Sequence, residues 1–283
     1  MKILQLCNKP PLPAVDGGCI AMNNIAKGLL SAGNDVKIIS ISTYKHPFEN
    51  KNYSTSFLDK TRFESIYVET KVNIIDAFSS LVTSDNYNVS RFFSTDFDRA
   101  LVEVLRKEEF DIIQLESLFM TPYIGTIRRH SKAKIVLRSH NLEYIIWKRL
   151  ANATSNRAKR VYLNYLAKQL KEYEFGVINE VDGIAAISKG DAQRYAEFKS
   201  DLKLETIPFG IDIEDYQPTL SDKNNDSSLF HLGAMDWKPN IEGVMWFAEE
   251  VYPSLKDFNL HLAGRKMPSW FTESIDPSIY NHG

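Results

Sequence analysis

Short apolar runs alternate with amphipathic stretches along this chain. Ile3–Cys7 and Val36–Ser42 have the pattern of buried strands, and the apolar residues between them recur with helical spacing. Gly33 stands between that helix and the second strand, where a C-cap glycine belongs. The alternation continues with predicted strands at Ile112–Leu115, Ile135–Leu137 and Ile184–Ile187 and with helical patterns over Phe97–Leu105 and Tyr144–Val177. This pattern predicts an α/β fold of the doubly wound, Rossmann-like type, in which helices cover both faces of a parallel sheet.

A polar, turn-rich segment at residues 218–228 is the best linker candidate in the chain. It separates a predicted N-terminal domain, residues 1–217, from a C-terminal domain, residues 229–283. The second domain restarts the pattern with a strand, a helix and a strand, at Leu229–Leu232, Asn240–Val251 and Leu260–Ala263. About 55 residues follow the linker, whereas a doubly wound domain usually needs about 100. We therefore expect the second domain to be incomplete, with two strands.

The composition excludes several classes of protein. With 43% hydrophobic and 25% charged residues, the chain has the make-up of a soluble globular protein with a sizeable core. Its net charge of −2 carries no nucleic-acid signature. No run approaches about 20 apolar residues, and the first apolar run stops at Asn8, so neither a membrane span nor a signal peptide is predicted. These features favour a cytoplasmic protein.

The two cysteines, Cys7 and Cys19, are too few for a disulfide framework and lack the spacing of metal ligands. Both lie in the first segment, so a bridge between them is geometrically open. A cytoplasmic location favours reduced thiols instead.

The loops at the carboxyl ends of the strands are the candidate sites, because ligands of open parallel sheets bind there. The first loop, Asn8–Gly18, leads straight into a helix. Gly17 and Gly18 would let the backbone approach a ligand closely, and the helix start would offer N–H groups to a phosphate. The alternative is that the two glycines only shape a turn. A dinucleotide site is disfavoured, because G-x-G-x-x-G is absent.

The second loop follows the strand Ile135–Leu137 and begins with Arg138. His140 could exchange a proton with a substrate or hydrogen-bond one of its hydroxyls; the alternative is a structural histidine. We expect His140 to line a cleft outside the core, so that His140→Ala changes stability by no more than about 1 kcal/mol. Glu143 has the alternative interpretation of a first-turn glutamate favoured by the helix dipole.

Four further loops carry polar residues or glycines at strand ends. Ser188 and Asp191 form a capping pair, for which we favour a structural role. Gly210 and Asp212 precede the predicted linker, where both a hinge and a substrate contact fit. The last two loops lie in the second domain and contribute Gly233, Trp237, Lys238, Asn240, Gly264 and Arg265.

Taken in order, these segments resemble the retaining glycosyltransferases of family 4, which have the two-domain GT-B fold. The resemblance rests on the Gly-Gly loop, H-N-x-E at 140–143, A-I-S-K ending at 189, I-P-F-G-I-D at 207–212, G-A-M-D-W-K-P-N at 233–240 and A-G-R at 263–265. The G-x-M-x-W-x-P-N pattern is the most specific and is similar to that of a bacterial subgroup that builds surface glycans.

The resemblance assigns roles to particular positions. It places His140 at the reaction centre, against the donor sugar. Gly17 and Gly18 would face the donor phosphates or the acceptor, and Gly233 and Arg265 would lie near the diphosphate or nucleotide. The other residues that it places near donor or acceptor are Arg138, Glu143, Ser188, Gly210, Asp212, Trp237, Lys238, Asn240 and Gly264. It implies no metal and no cofactor, since helix N-termini and Lys or Arg side chains can stabilise a diphosphate leaving group.

The sequence departs from the family pattern in several places. Many members have asparagine where Phe209 stands, and many have an arginine and a lysine where only Lys238 is nearby. The family's two glutamates separated by seven residues are not recognised. The bare spacing occurs out of context, at Glu108/Glu116, Glu172/Glu180, Glu197/Glu205 and Glu242/Glu250. We therefore expect a C-terminally truncated chain that binds its donor weakly and does not complete transfer alone.

The predicted function is transfer of a hexose-type sugar from a nucleotide diphosphate to a hydroxyl of a glycan or lipid-linked acceptor, with retention, in cell-surface polysaccharide synthesis. The alternatives are a sugar-nucleotide epimerase of similar fold and a non-catalytic binding fragment.

Residues 143–171 also carry seven basic side chains against one acidic side chain. This excess indicates either a solvated helix face or peripheral contact with an anionic membrane at the inner face, or with a lipid-diphosphate acceptor.

Overall fold

The computed structural model describes residues 1–70, 87–199, 201–213, 227–236, 238–255, 257–268 and 279–282. The chain divides into two compact units, Met1–Asp212 and Ile213–Gly283. The predicted linker, residues 218–228, lies outside the described residues except at its last two positions, and Trp237 lies outside them as well. The assignment of the two units as acceptor and donor domains stays a prediction.

The first unit alternates strands and helices in chain order. Its strands are β1 (Lys2–Cys7), β2 (Asp35–Ser42), β3 (Glu64–Tyr67), β4 (Ile112–Glu116), β5 (Lys134–Ser139), β6 (Gly183–Ala186) and β7 (Leu204–Thr206). Its helices are α1 (Gly17–Ser31), α2 (Thr55–Thr61), α3 (Tyr87–Ser90), α4 (Thr95–Lys107), α5 (Ile124–His130), α6 (Glu143–Asn152), α7 (Arg157–Val177) and α8 (Lys189–Phe198), with 3-10 turns at Asn50–Asn52 and Leu118–Tyr123.

The described strands of this unit form one sheet in the order β3-β2-β1-β4-β5-β6-β7. Every neighbouring pair is parallel. Chain order reverses between β1 and β4, where Ile3 stands opposite Ile112 and Cys7 opposite Glu116. In doubly wound sheets the carboxyl edge at such a reversal is the usual place for a ligand.

Helices cover both faces of the sheet because the strands are apolar on both sides. Leu4, Leu6, Ile39 and Ile41 face a large core cluster that includes Phe97 of α4. On the other face, Val36 and Ile38 pack with Met22 and Ala26 of α1. The predicted doubly wound layering is confirmed for this unit.

The long helical stretch predicted over Tyr144–Val177 is two helices rather than one. α6 ends at Asn152, and Asn156 caps the start of α7 by accepting a hydrogen bond from the Lys159 N–H at 3.0 Å. An asparagine of this kind competes for backbone N–H groups and so favours a helix start over a helix interior.

The second unit has its own small core. It contains β8 (Ser228–Leu232), α9 (Lys238–Trp246), a π-turn at Phe247–Val251, a 3-10 turn at Tyr252–Ser254, β9 (Asn259–Ala263) and β10 (Ile279–Asn281). The described strands form a parallel sheet in the order β10-β9-β8. The expectation of two strands was therefore wrong, since β10 adds a third at the edge. This order repeats that of β3-β2-β1 in the first unit.

Within the described ranges, no helix combines the length and the apolar character needed to cross a membrane.

Candidate functional site

The loop after β1 ends in a capped helix N-terminus. Asp16 is the N-cap of α1, and its Oδ1 accepts a hydrogen bond from the Cys19 N–H at 2.9 Å. Lys9 Nζ donates to the two Asp16 oxygens at 2.8 and 2.7 Å. Burial alone would raise the pKa of Asp16, but the Lys9 charge and these hydrogen bonds lower it to about 2. Asp16 therefore stays ionised and ties the loop to the helix.

Gly17 and Gly18 open α1, and their surroundings differ. A Cβ added at Gly17 would meet no described atom within 4 Å, whereas one at Gly18 would lie 3.1 Å from Lys9 Nζ and 3.3 Å from Asp16 Oδ1. Gly18 thus has a structural reason to be glycine, because it leaves room for the Lys9–Asp16 ion pair. The open space beside Gly17 suits the approach of an anionic group to the helix N-terminus.

A cavity of about 200 Å³ opens beside this loop, beyond the carboxyl ends of β1 and β2. Its walls are mainly apolar, and they are formed by Pro10, Leu12, Pro13, Val15, Cys19, Lys45, His46, Pro47, Glu49 and Asn52.

Three groups near this cavity, Asp16, Cys19 and His46, place potential ligand atoms within 4.8 Å of one another. Sequence spacing did not predict this trio. The Asp16 carboxylate is already engaged by Lys9, and burial raises the pKa of the Cys19 thiol to about 12. The trio is therefore poorly suited to a cation. Cys19 and Cys7 are both buried and free.

A cluster of buried polar residues occupies the carboxyl edge where chain order reverses. We call it the Glu116 cluster; its members are Gln5, Gln114, Glu116, Arg138 and His140. Glu116 Oε2 accepts from His140 Nε2 at 2.7 Å and from Arg138 Nη1 at 3.3 Å. Glu116 Oε1 accepts from Gln5 Nε2 at 2.9 Å and from Gln114 Nε2. β1, β4 and β5 thus converge on one carboxylate.

His140 belongs to this buried cluster, with 9% of its surface exposed. The expectation that it lies outside the core was therefore wrong. Glu116 is fully buried and Arg138 is 2% exposed. Burial alone would raise the pKa of Glu116, but the hydrogen bond from His140 and the charge of Arg138 hold it below the usual value. Glu116 is therefore an anion at neutral pH.

Several buried polar atoms near the end of β1 find no hydrogen-bond partner among the described residues. They are Gln5 Oε1, Asn8 Oδ1, Asn23 Oδ1 and Arg138 Nε. Buried polar atoms in folded proteins are nearly always bonded, to protein, water or ligand. Either water or a polar ligand at this edge can bond to these atoms.

A second buried carboxylate supports the His140 loop from behind. Glu174 of α7 accepts hydrogen bonds from the backbone N–H groups of Glu143 and Tyr144, at 3.1 and 3.3 Å, where α6 begins. Tyr195 OH donates to Glu174 at 3.5 Å and lies 3.0 Å from Ser139 Oγ. The loop between β5 and α6 is thus fixed at both ends.

Burial is the main cause of the shifted pKa values of Glu174 and Glu143. It raises the pKa of Glu174 to about 8, with Glu143 adding repulsion and the backbone hydrogen bonds opposing it. Burial likewise raises the pKa of Glu143 to about 7, against a lowering contribution from Asn141. Glu143 is also the acidic residue of the first turn of α6, so the structural alternative is compatible with its position.

Phe209 covers the Glu116 cluster. Its ring centroid lies 5.3 Å from Arg138 Cζ and 6.0 Å from the His140 ring, edge to face. Phe209 is 41% exposed as a whole residue, so part of it packs on the cluster while another part faces solvent. The next residue, Gly210, accepts a hydrogen bond through its carbonyl from Asn24 Nδ2 of α1 at 2.8 Å. The segment after β7 therefore lies beside the helix that begins at Gly17.

Ser188 acts as the predicted helix cap. Its Oγ accepts from the Asp191 N–H at 3.1 Å and donates to Asp191 Oδ2 at 2.8 Å. This capping confirms the structural interpretation that we favoured for the pair. Asp212 is exposed at the end of the first unit.

In the second unit, the ends of β8 and β9 approach each other closely. Gly264 has φ +143°, and a Cβ there would lie 1.9 Å from Gly233 O, so only glycine fits. Asn240 Nδ2 donates to the Ala234 carbonyl at 2.9 Å. Arg265 Nε lies 3.5 Å from Asp236 Oδ1, at the exposed carboxyl edge of β9.

Lys238, also in the second unit, pairs with Glu242 at 3.3 Å on α9.

The predicted residues thus fall into two groups. In the first unit, Gly17, Gly18, Arg138, His140, Glu143, Ser188 and Gly210 gather at one carboxyl edge. In the second unit, Gly233, Asn240, Gly264 and Arg265 gather at another. The expectation that both groups face one cleft stays a prediction.

The model of the family described as Glycosyltransferase Family 4 matches residues 15–215 of this chain. The chain belongs to glycosyltransferase family 4. The matched range contains the whole first-unit group, and it includes the Glu116 cluster apart from Gln5.

Comparison with known proteins places this family 4 chain among relatives of low identity. It is 24% identical, over 93% of its length, to an uncharacterized 44.6 kDa protein in the cps region of Klebsiella pneumoniae, and it spans 64% of that relative. Sucrose-phosphate synthase from Thermosynechococcus elongatus has a similar structure, with a TM-score of 0.66 and 13% identity, over 100% of this chain and 70% of that one.

HepE from Anabaena, solved in complex with UDP and glucose, has a TM-score of 0.55 and 13% identity, over 100% of this chain and 69% of that one. At such identity these likenesses show the fold, which is that of the GT-B glycosyltransferases. The predicted GT-B-like architecture of the family 4 chain is confirmed.

Sequence reasoning missed the centre of the first-unit group. Glu116 was noticed only as one member of an unspecific glutamate spacing, because the predicted strand stopped at Leu115. A signal was present: Glu116 stands directly after the apolar residue Leu115 and ends β4 at the same edge as His140. Gln5 and Glu174 gave no such signal, since a polar residue inside a strand or helix is usually taken for an exposed one.

Proposed function

We propose that this family 4 protein transfers a sugar from a nucleotide-diphosphate sugar to a hydroxyl of a glycan or lipid-linked acceptor, with retention, in cell-surface polysaccharide synthesis. The observation that carries the proposal is the Glu116 cluster at the reversal of chain order, beside a helix that begins with an unobstructed glycine. A histidine held by a buried anion next to an open helix N-terminus suits a ligand with both hydroxyls and phosphates.

The roles proposed for the first-unit residues follow from their chemistry. His140 meets a hydroxyl of the reacting sugar, and the Glu116 anion holds the imidazole in place. The start of α1 at Gly17 offers backbone N–H groups to negatively charged oxygens. Phe209 offers a partly exposed ring over the cluster, against which the apolar face of a pyranose can pack.

The second-unit group suits the nucleotide part of the donor. Arg265 is a cation at the carboxyl edge of β9, and Gly233 follows β8 at the same edge, where an added Cβ would lie 2.9 Å from His231 Nε2. Charge developing on the leaving diphosphate would be stabilised there without a metal ion. UDP and glucose bound to HepE, and the location of the Klebsiella relative in a cps region, support a nucleotide-sugar donor and a surface-polysaccharide product.

Product analysis distinguishes this function from its alternatives. The gene product that carries residues 1–283 is incubated with a panel of nucleotide-diphosphate sugars and a lipid-linked or glycan acceptor, and proton NMR follows the anomeric signals. We expect a glycosylated acceptor with the anomeric configuration of the donor, together with free nucleotide diphosphate. A product with the inverted anomeric configuration would contradict retention. An epimerised sugar nucleotide with no new glycoside would identify the protein as an epimerase. If no donor is changed, the alternative of a non-catalytic binding fragment is supported.

We also propose that the first turns of α7 contact an anionic membrane that presents the acceptor. All residues from 157 to 162 are exposed, among them Arg157, Lys159 and Arg160. Val161 is 71% and Tyr162 is 42% exposed in the same stretch. Cations interleaved with exposed apolar and aromatic side chains are the composition of interfacial helices.

A further inference from the structure

The hydrogen bonds of the Glu116 cluster determine which nitrogen of His140 carries a proton. Glu116 is a fully buried anion, so its Oε2 can only accept the bond of 2.7 Å from His140 Nε2. His140 Nε2 must therefore carry the hydrogen. Arg138 Nη1 lies 3.4 Å from the same nitrogen. Since both atoms are donors, that contact is not a hydrogen bond, and Arg138 donates to Glu116 instead.

When the imidazole of His140 is neutral, it is therefore the Nε2–H tautomer, and its other nitrogen, Nδ1, carries a lone pair. In this state Nδ1 accepts a hydrogen bond and cannot donate one. A sugar hydroxyl can supply the hydrogen, whereas the ionised oxygens of a diphosphate cannot. The tautomer thus selects the chemical group that His140 can meet.

We propose that Glu116 is the positioning residue of the site: it fixes His140 as the Nε2–H tautomer and so reserves Nδ1 for a hydroxyl of the sugar substrate. Glu116 itself does not touch substrate, because it is fully buried and both of its oxygens are hydrogen-bonded within the cluster. The identification of the ligand as a sugar rests on the proposed function, whereas the assignment of the tautomer does not.

The arrangement of the cluster explains why a carboxylate is needed. Gln5, Gln114, Arg138 and His140 all point donors at the same side chain. A carboxylate is the side chain that accepts at both oxygens, and hydrogen bonds to a charged acceptor are stronger than those to a neutral one. An amide has one accepting oxygen and would hold the ring less firmly.

The first test is the ring state of His140 in the wild-type protein. Long-range proton–nitrogen NMR of the histidine-labelled chain at pH 8, with His140→Gln to assign the signal, reports which nitrogen is protonated. We expect one protonated Nε2 with a slowly exchanging proton and one unprotonated Nδ1. A protonated Nδ1, or the averaged signals of a freely exchanging imidazole, would overturn the proposal. If the variants described below do not fold, this measurement on the wild-type protein is sufficient to test the proposal.

The second test compares two neighbours on β4. Glu116→Gln removes the charge that holds Nε2–H, whereas Gln114→Leu removes a donor to the opposite oxygen, Oε1. We expect the ring proton of His140 to exchange at least tenfold faster in Glu116→Gln and at an unchanged rate in Gln114→Leu. Equal rates in wild type and Glu116→Gln, or equal acceleration in both variants, would show that Glu116 does not fix the ring.

The third test asks whether Glu116 acts through His140. In the transfer assay, Glu116→Gln should lower kcat at least tenfold in the wild-type background and cause no further loss in the His140→Gln background. Independent, multiplying losses would contradict the positioning role. Failure of the proposed function has a different signature, because then no variant transfers sugar while the NMR result stands.

Discussion

At the scale of the residue, His140 shows how burial changes what a substitution does. Its Nε2 donates to a fully buried carboxylate, so His140→Ala leaves Glu116 Oε2 with the longer bond from Arg138. We predict a loss of about 1–3 kcal/mol in the free energy of unfolding, the usual contribution of a buried hydrogen bond to a charged group. Urea denaturation measures it, with the exposed Lys132→Ala as control. If His140→Ala destabilises the protein no more than the control does, His140 behaves as the residue outside the core that the sequence predicts.

A substitution at Gly17 can distinguish an effect on ligand binding from an effect on folding. Both Gly17 and Gly28 lie on α1 with no described atom within 4 Å of an added Cβ. Alanine at either position should therefore fold normally and should not lower the thermal midpoint, since alanine favours helices over glycine. We predict that Gly17→Ala lowers transfer at least tenfold and that Gly28→Ala does not, because only Gly17 stands at the helix start. Equal activity of the two variants would contradict a close approach of the ligand at Gly17.

At the scale of the element, the start of α6 rests on the buried Glu174 carboxyl, and this makes stability depend on pH. The pKa of Glu174 rises from 4.5 to about 8 on folding, mainly through burial. The folded state therefore favours the neutral form: its stabilisation is fully present below pH 4.5 and is lost as pH rises through about 8.

We predict that the free energy of unfolding falls between pH 5 and pH 9 and that Glu174→Gln reduces this slope. Some slope should remain, because burial also raises the pKa of Glu143. Glu172→Gln, on the same helix but exposed, is the matched control and should leave the slope unchanged. Urea denaturation across the pH range provides the comparison. A slope that Glu174→Gln does not alter would mean that Glu174 is ionised in the folded protein.

The sequence predicted the strands of the first unit where apolar runs are long, because a strand buried on both faces leaves a continuous apolar signature. β1, β2, β4 and β5 were found in this way, to within two residues at their ends. β3 and β10 were missed, since edge strands of four and three residues carry little such signal. An error of one residue was enough to miss Glu116, because the predicted strand ended at Leu115.

The sequence predicted the loops of the candidate site but not the buried residues that hydrogen-bond to them. His140 and Gly17 follow strand ends, and the rule that ligands bind there identifies them. Their partners come from positions far apart in the chain: Glu116 lies 24 residues before His140, and Glu174 lies 31 residues after Glu143. A single sequence contains no record of such pairs. Only the three-dimensional register of β1, β4 and β5 brings the cluster together.

At the scale of the whole molecule, the uneven distribution of charge is the basis for the proposed membrane contact. Each basic residue near an anionic bilayer contributes about 1 kcal/mol, so replacing Arg157, Lys159 and Arg160 with glutamine should weaken binding to phosphatidylglycerol vesicles by on the order of 100-fold. The control replaces three exposed and scattered lysines, Lys107, Lys132 and Lys203. Co-sedimentation at low and moderate salt measures both. Equal weakening in the two variants would mean that net charge alone, and not the start of α7, binds the membrane.

The central claim is that sugar transfer takes place at His140. The most direct measurement is the acceptor-dependent release of nucleotide diphosphate by the gene product that carries this chain, in wild type, in His140→Gln and in His130→Gln. His130 ends α5, shortly before β5 begins, at the opposite edge of the sheet. We predict that His140→Gln slows release at least 100-fold while His130→Gln matches the wild type. Release by folded His140→Gln at the wild-type rate would contradict it.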